Sequence, residues 1–184
     1  MHRTAPIAHN REFPPPLVRR LGGLVLVAIL GACASYGGSS LKPGQSAMAE
    51  VRALMGEPAA IHRAPEGARY NQSWEYPRGP AGRHTYMARF DAGGKLVAID
   101  QVLDEDALTR VGIGRDTRED VRRLLGRPAV VMPDRRGGEI WDYAALSAHG
   151  APRKLRLLVG FDANGIASSA GAMDEPEATG SRRR

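Results

Sequence analysis

The chain has 184 residues, 42% of them hydrophobic and only 5% aromatic, with 22 glycines and 13 prolines, a composition that suits short elements joined by many turns and excludes a long helical bundle. Its net charge of +6 sits at the ends, in Arg3, Arg11, Arg19 and Arg20 and in the closing Arg182–Arg184, leaving 19 basic and 19 acidic residues between positions 33 and 181; a nucleic-acid-binding face would gather its cations where phosphates meet the fold, so that class is set aside. The single cysteine, Cys33, excludes an internal disulfide and any multi-cysteine metal site.

In chain order the first element is an address. Arg19 and Arg20 precede an uncharged apolar stretch from Leu21 to Ala32, about a dozen residues, the length of a signal-peptide h-region and short of the roughly 20 needed to span a bilayer. Leu30-Gly31-Ala32-Cys33 resembles the bacterial lipobox, in which small residues let the peptidase approach and the cysteine thiol is the acyl acceptor. Residues 1–32 are accordingly expected to be a signal peptide. Cys33 is the expected lipidation site and the mature N-terminus, with acyl chains anchoring it in the membrane. Ala34 rather than Asp follows it, which by the same resemblance implies the outer membrane, on its periplasmic face. The n-region is long and contains Pro14–Pro16, compatible with a start of translation near Val18. Residues 33–42 read as a lipidated Gly/Ser tether.

Two copies of one pattern follow, residues 43–105 and 112–175. Gly44-Gln-Ser-Ala-Met-Ala-Glu-Val-Arg-Ala-Leu-Met-Gly56-Glu-Pro58 aligns with Gly114-Arg-Asp-Thr-Arg-Glu-Asp-Val-Arg-Arg-Leu-Leu-Gly126-Arg-Pro128. Trp74-Glu-Tyr76 recurs as Trp141-Asp-Tyr143, Phe90-Asp-Ala-Gly-Gly94 as Phe161-Asp-Ala-Asn-Gly165, and Leu103-Asp-Glu105 as Met173-Asp-Glu175. Four landmarks in one order, offset by 70, 67, 71 and 70 residues, identify a duplication.

Each copy reads as a short helix followed by strands. Ser46 and Asp116 stand where N-caps are wanted, Asp116 with Glu119 three residues on as a capping box. Val51, Leu54 and Met55, then Val121, Leu124 and Leu125, form apolar faces at helical spacing. Gly56 and Gly126 are placed for a left-handed C′ residue, with Pro58 and Pro128 preventing continuation. The expected strands are 59–62, 73–76, a third ending at Phe90, and 97–102; in the second copy they are 129–132, 139–143, a third ending at Phe161, and 166–170. Alternation and the Asp-Ala-Gly-Gly and Asp-Ala-Asn-Gly turns support them. The expected fold class is α+β, two tandem repeats, each a short helix packed on a three- or four-stranded antiparallel meander, the two sheets lying side by side or as one. Residues 104–110 read as a solvated connection and 176–184 as a disordered tail.

The run Gly-x-[Ser/Asp]-x-x-x-[Glu/Asp]-Val-x-x-Leu-[Met/Leu]-Gly-x-Pro, then Trp-x-Tyr and Phe-Asp-x-x-Gly, resembles the SmpA/OmlA family, that of the small BamE-type lipoprotein of outer-membrane β-barrel assembly. The resemblance covers residues 43–173, once per copy. It implies an envelope location and a non-enzymatic protein-binding role in envelope or outer-membrane protein assembly. Two tandem copies also resemble the architecture of the β-lactamase inhibitory protein, which implies an alternative role as an inhibitor-like binder presenting loops such as 63–72 or 77–84.

Trp74, Tyr76, Trp141 and Tyr143 are the candidate interface residues, since Trp and Tyr are favoured at binding surfaces; their presence at the same position in both repeats, at period two on one strand face, suits a packing role better. His62, His84 and His149 have no second ligand at metal-binding spacing. Asp104-Glu105-Asp106 lacks the alternating oxygens and glycine of a calcium loop, and Gly112-Ile-Gly114 lacks the rest of a dinucleotide fingerprint. With no nucleophile–base motif visible, the expectation is a protein partner, no cofactor, no metal and no catalysis.

Overall fold

The computed structural model describes residues 38–79 and 82–176, all within one unit running from Ala32 to Arg184. The expected lipidation site at Cys33, the signal segment and the tail beyond 176 lie outside the described residues.

Helix α1 (Met48–Met55) is followed by strands β1 (Ala60–Arg63), β2 (Gln72–Arg78), β3 (His84–Phe90) and β4 (Leu96–Gln101). A 3-10 helix (Glu105–Arg110) leads to α2 (Arg118–Leu125), then β5 (Val130–Pro133), β6 (Glu139–Leu146), β7 (Lys154–Phe161) and β8 (Ala167–Asp174). The strands form two separate antiparallel sheets in sequential order, β1-β2-β3-β4 and β5-β6-β7-β8. The α+β repeat expected from the sequence is therefore the architecture, and the sheets are not continuous.

The repeats match in detail. Both third strands carry a register shift at their last residue, Arg89/Phe90 and Gly160/Phe161, ahead of the Asp-Ala-x-Gly turn. Trp74 and Phe90 lie 4.7 Å apart with planes tilted by 55°, Trp141 and Phe161 4.7 Å apart at 57°. Arg52 covers the Trp74 ring at 4.9 Å and Arg122 covers Trp141 at 5.0 Å, so each helix lays a guanidinium over the tryptophan of its own sheet.

The caps differ from expectation by one residue. The N-cap of α2 is Thr117, whose hydroxyl accepts from the Asp120 N–H (3.2 Å) while Asp120 Oδ2 accepts from the Thr117 N–H (2.9 Å), a reciprocal capping box. Helix α1 starts after Ala47, with no side-chain cap. Asp116 and Ser46 are used one step earlier: each accepts from the backbone N–H four residues before it, Gly112 at 2.8 Å and Lys42 at 3.1 Å, closing the turn that precedes the helix. At the other end Gly56 and Gly126 have φ of +80°, with ψ of −167° and −163°. That corner of backbone space is open essentially to glycine alone.

The first core gathers Val51, Met55, Trp74, Tyr76, Phe90 and Leu96, with Leu41 reaching in from the end of the expected tether. The second gathers Val121, Leu125, Trp141, Tyr143 and the inward residues of β7, and it also contains Met87, Val102 and Leu103 from the first repeat. Helix α2 is thus held between the two sheets. Its terminal Gly126 touches both: a Cβ there would lie 2.8 Å from Glu75 Oε1 of β2, and the Tyr143 hydroxyl of β6 donates to its carbonyl at 3.2 Å. The order of layers is α1, first sheet, α2, second sheet.

Residues 104–110, expected as a solvated connection, are exposed at Asp106, Thr109 and Arg110 but turn Ala107 into this core. Asp104 caps the 3-10 helix by accepting from the Ala107 N–H (2.9 Å), and Ala107 and Val111 are buried. The acids that suggested solvent are spent on the surface side: Glu105 accepts from the Ala148 N–H at 2.8 Å, and Asp106 pairs with His149.

Candidate functional site

The four candidate interface aromatics are interior. Trp74, Tyr76, Trp141 and Tyr143 are each at most 3% exposed, because the strand face they share is the one each helix covers. As surface contact residues they are corrected to core. Their polar ends are treated unequally: the Trp141 indole N–H donates to Glu139 at 2.9 Å, while the Trp74 indole and the Tyr76 hydroxyl make no hydrogen bond within the described protein. Burial pushes the Tyr76 hydroxyl up to about 12 and the Tyr143 hydroxyl far above the ordinary phenol range, so neither ionises near neutral pH.

Of His62, His84 and His149, His62 is buried, with Nε2 2.9 Å from Glu75 Oε2. His149 is exposed beside Asp106, whose carboxylate raises its pKa. No group of three or more His, Cys, Asp or Glu is placed to hold a metal ion among the described residues.

The joint between repeats was not foreseen from the sequence. Glu75 is 2% exposed, yet both of its oxygens are engaged: Oε2 with His62, Oε1 accepting from the Arg127 N–H of the second repeat at 2.9 Å. Beside it a cleft of about 550 Å³ opens between the repeats, lined by Glu75, Thr85 and Leu103 on one wall and Arg122, Arg127 and Tyr143 on the other. Glu75, through the Arg127 N–H, and Tyr143, through the Gly126 carbonyl, thus sit on either side of the joint that α2 makes with the two sheets. The only sequence signal for it was Glu75 itself, an acid between two buried aromatics.

The open surface lies on the second sheet. Strand β5 is an edge strand, paired only with β6, and all four of its residues are exposed, Val130, Val131 and Met132 among them. Apolar edge strands are templates for association, and Pro133 at its end removes one backbone donor. Beyond it the outward face carries Asp142, almost fully buried, clasped by Arg156 through Nε at 2.6 Å to Oδ1 and by Nη2 to Oδ2. That clasp raises the Arg156 pKa further.

Among known proteins, the family model of the outer membrane protein assembly factor BamE domain matches residues 101–171. No curated protein and no solved structure matches the chain. The matched stretch begins at the end of β4 and takes in the 3-10 helix, α2 and the strands through most of β8, the segment whose residues share the second core. Residues 101–171, the second repeat together with the 3-10 helix that leads into it, are thus similar to the BamE domain.

Proposed function

We propose that this chain is a lipid-anchored envelope protein of the outer membrane that binds a protein partner in outer-membrane protein assembly, without catalysis of its own. The observation that carries this reading is the similarity of residues 101–171 to the BamE domain. The Leu30–Cys33 lipobox pattern behind an apolar segment supports the anchor, and no helix among the described residues is long and apolar enough to cross a membrane. The first repeat, built on the same plan, is read as a second BamE-type domain. A module of this kind acts by surface complementarity, and the exposed apolar strand β5 is the kind of edge that partners use.

Intact mass and membrane fractionation of the native protein beside Cys33→Ser test the anchor. Acyl mass and outer-membrane sedimentation, both lost in the variant, are expected. A soluble, unacylated wild type would overturn the anchored reading. Crosslinking from the same cells then tests the role: capture of outer-membrane assembly components is expected, and capture of a periplasmic enzyme instead would replace assembly by inhibition.

A further inference from the structure

The two sheets present equivalent outer faces, and among the described residues only one is covered. In the first sheet the cross-strand rows Ala60–Glu75–Met87–Asp100 and His62–Ser73–Arg89–Ala98 face away from α1. Helix α2 lies on that side, and His62, Ser73, Glu75, Thr85, Met87 and Val102 are buried there. In the second sheet the matching rows are Val130–Asp142–Leu158–Gly171 and Met132–Ile140–Gly160–Ser169, with Ala144–Arg156–Met173 beside them. Val130, Met132 and Met173 remain 44%, 36% and 49% exposed.

A sheet face that ends a stack of repeats is normally made polar, because it meets water. Along β5 and the start of β6 the substitution pattern runs the other way: where the covered face has Ala60, His62 and Ser73, the second sheet has Val130, Met132 and Ile140. Leu158 replaces Met87 in kind. The polar centre is neutralised in advance by the Asp142–Arg156 pair, with Asp142 occupying the row position of Glu75.

We infer that the outer face of the second sheet docks an amphipathic helix of a partner protein, as the outer face of the first sheet docks α2. This rests on the protein-binding reading above and names its surface. The helix would present an apolar stripe at i, i+4 spacing. Its flanks would be acidic, since exposed basic residues stand at both ends of the face: Lys154, opposite Leu146, at one, and Arg135 and Arg136 in the β5–β6 turn at the other. The same charges oppose a second copy, whose face-to-face approach would set basic ends against basic ends. Small residues along β7–β8, Gly160, Ser169 and Gly171, keep that half of the face low enough to seat a helix backbone.

The test places a photo-crosslinking benzoylphenylalanine at Met132, Ser169 or Met173 of the full-length protein in intact cells, with Ile113 and Glu57, exposed elsewhere, as controls. The crosslinked segment is then located by mass spectrometry. The expected result is one segment of another protein reached from all three positions, at helical spacing and with acidic flanks. Val130→Asp and Met173→Asp, both at exposed sites, should lower the yield about tenfold or more with an unchanged melting temperature. Crosslinks to lipid, to a second copy or to an extended segment would overturn the inference. Crosslinks from the control positions alone would overturn it while leaving protein binding intact; none from any position would remove both.

Discussion

The carboxylate of Glu75 in the first sheet accepts a hydrogen bond from the backbone N–H of Arg127, 52 residues later and two residues past the end of α2. This bond ties the two repeats together at the point where α2 turns into β5. Its other oxygen faces His62 at 2.9 Å, so the acid is buried with both oxygens satisfied, the condition under which a buried carboxylate is tolerated. Glu75→Ala is expected to destabilise the protein by about 2–4 kcal/mol, because it strands the Arg127 N–H and His62 and leaves a void. Glu75→Gln, which retains an acceptor, should cost about 1 kcal/mol. Urea denaturation of both variants checks the order; equal costs would mean the bond to Arg127 contributes nothing.

Gly56 and Gly126 share one backbone conformation and differ in surroundings. Alanine at either is strained by about 1–3 kcal/mol. At Gly126 a Cβ also meets Glu75 Oε1 at 2.8 Å and Thr85 Cγ2 at 3.2 Å, whereas nothing lies within 4 Å at Gly56. Gly126→Ala should therefore cost about 1 kcal/mol or more beyond Gly56→Ala. Paired melting curves measure the difference, which reports the packing of α2 on the first sheet.

Arg156 neutralises a carboxylate that is almost fully buried at Asp142. Arg156→Leu would leave that charge unpaired, at an expected cost of about 3 kcal/mol, while Asp142→Asn with Arg156→Leu should recover most of it. A double-mutant cycle in guanidinium reads the coupling; additive costs would refute it.

The capping box of α2 makes a pH prediction. The Thr117 hydroxyl, then its backbone N–H and Arg123, hold the Asp120 carboxyl below the usual carboxylate range. With the folded pKa below the unfolded value of about 3.9, the contribution is fully present above that value and is lost as pH falls through the folded pKa. Asp120→Asn should therefore be less stable than wild type at pH 6, with the gap closing below about pH 4. Thr117→Ala should cost about 1 kcal/mol at neutral pH. Thermal melts across pH 2–7 test both.

The duplication, the short helices, the four-stranded meanders and the glycine C-caps were legible in the sequence because each is encoded over a few residues: helical spacing at Val121 and Leu125, alternation at Trp74 and Tyr76, turn chemistry at Asp91–Gly94. The caps were missed by one residue because Asp116 and Thr117 both offer an oxygen, and only the turn that draws Asp116 back to Gly112 leaves Thr117 for the helix.

Period-two alternation says which residues share a strand face and is silent on what covers that face. Hence Trp74, Tyr76, Trp141 and Tyr143, for which the sequence favoured packing, stayed candidates for a contact surface as well, and the helix over each pair makes them core. The same silence hid Ala107, whose neighbours Glu105 and Asp106 look solvated in sequence. Tertiary packing alone decided that α2 is shared between two sheets, that Glu75 joins the repeats, and that no described residue covers the outer face carrying Val130, Met132 and Met173. These are contacts between residues tens of positions apart, set by how layers stack, and no local pattern carries them.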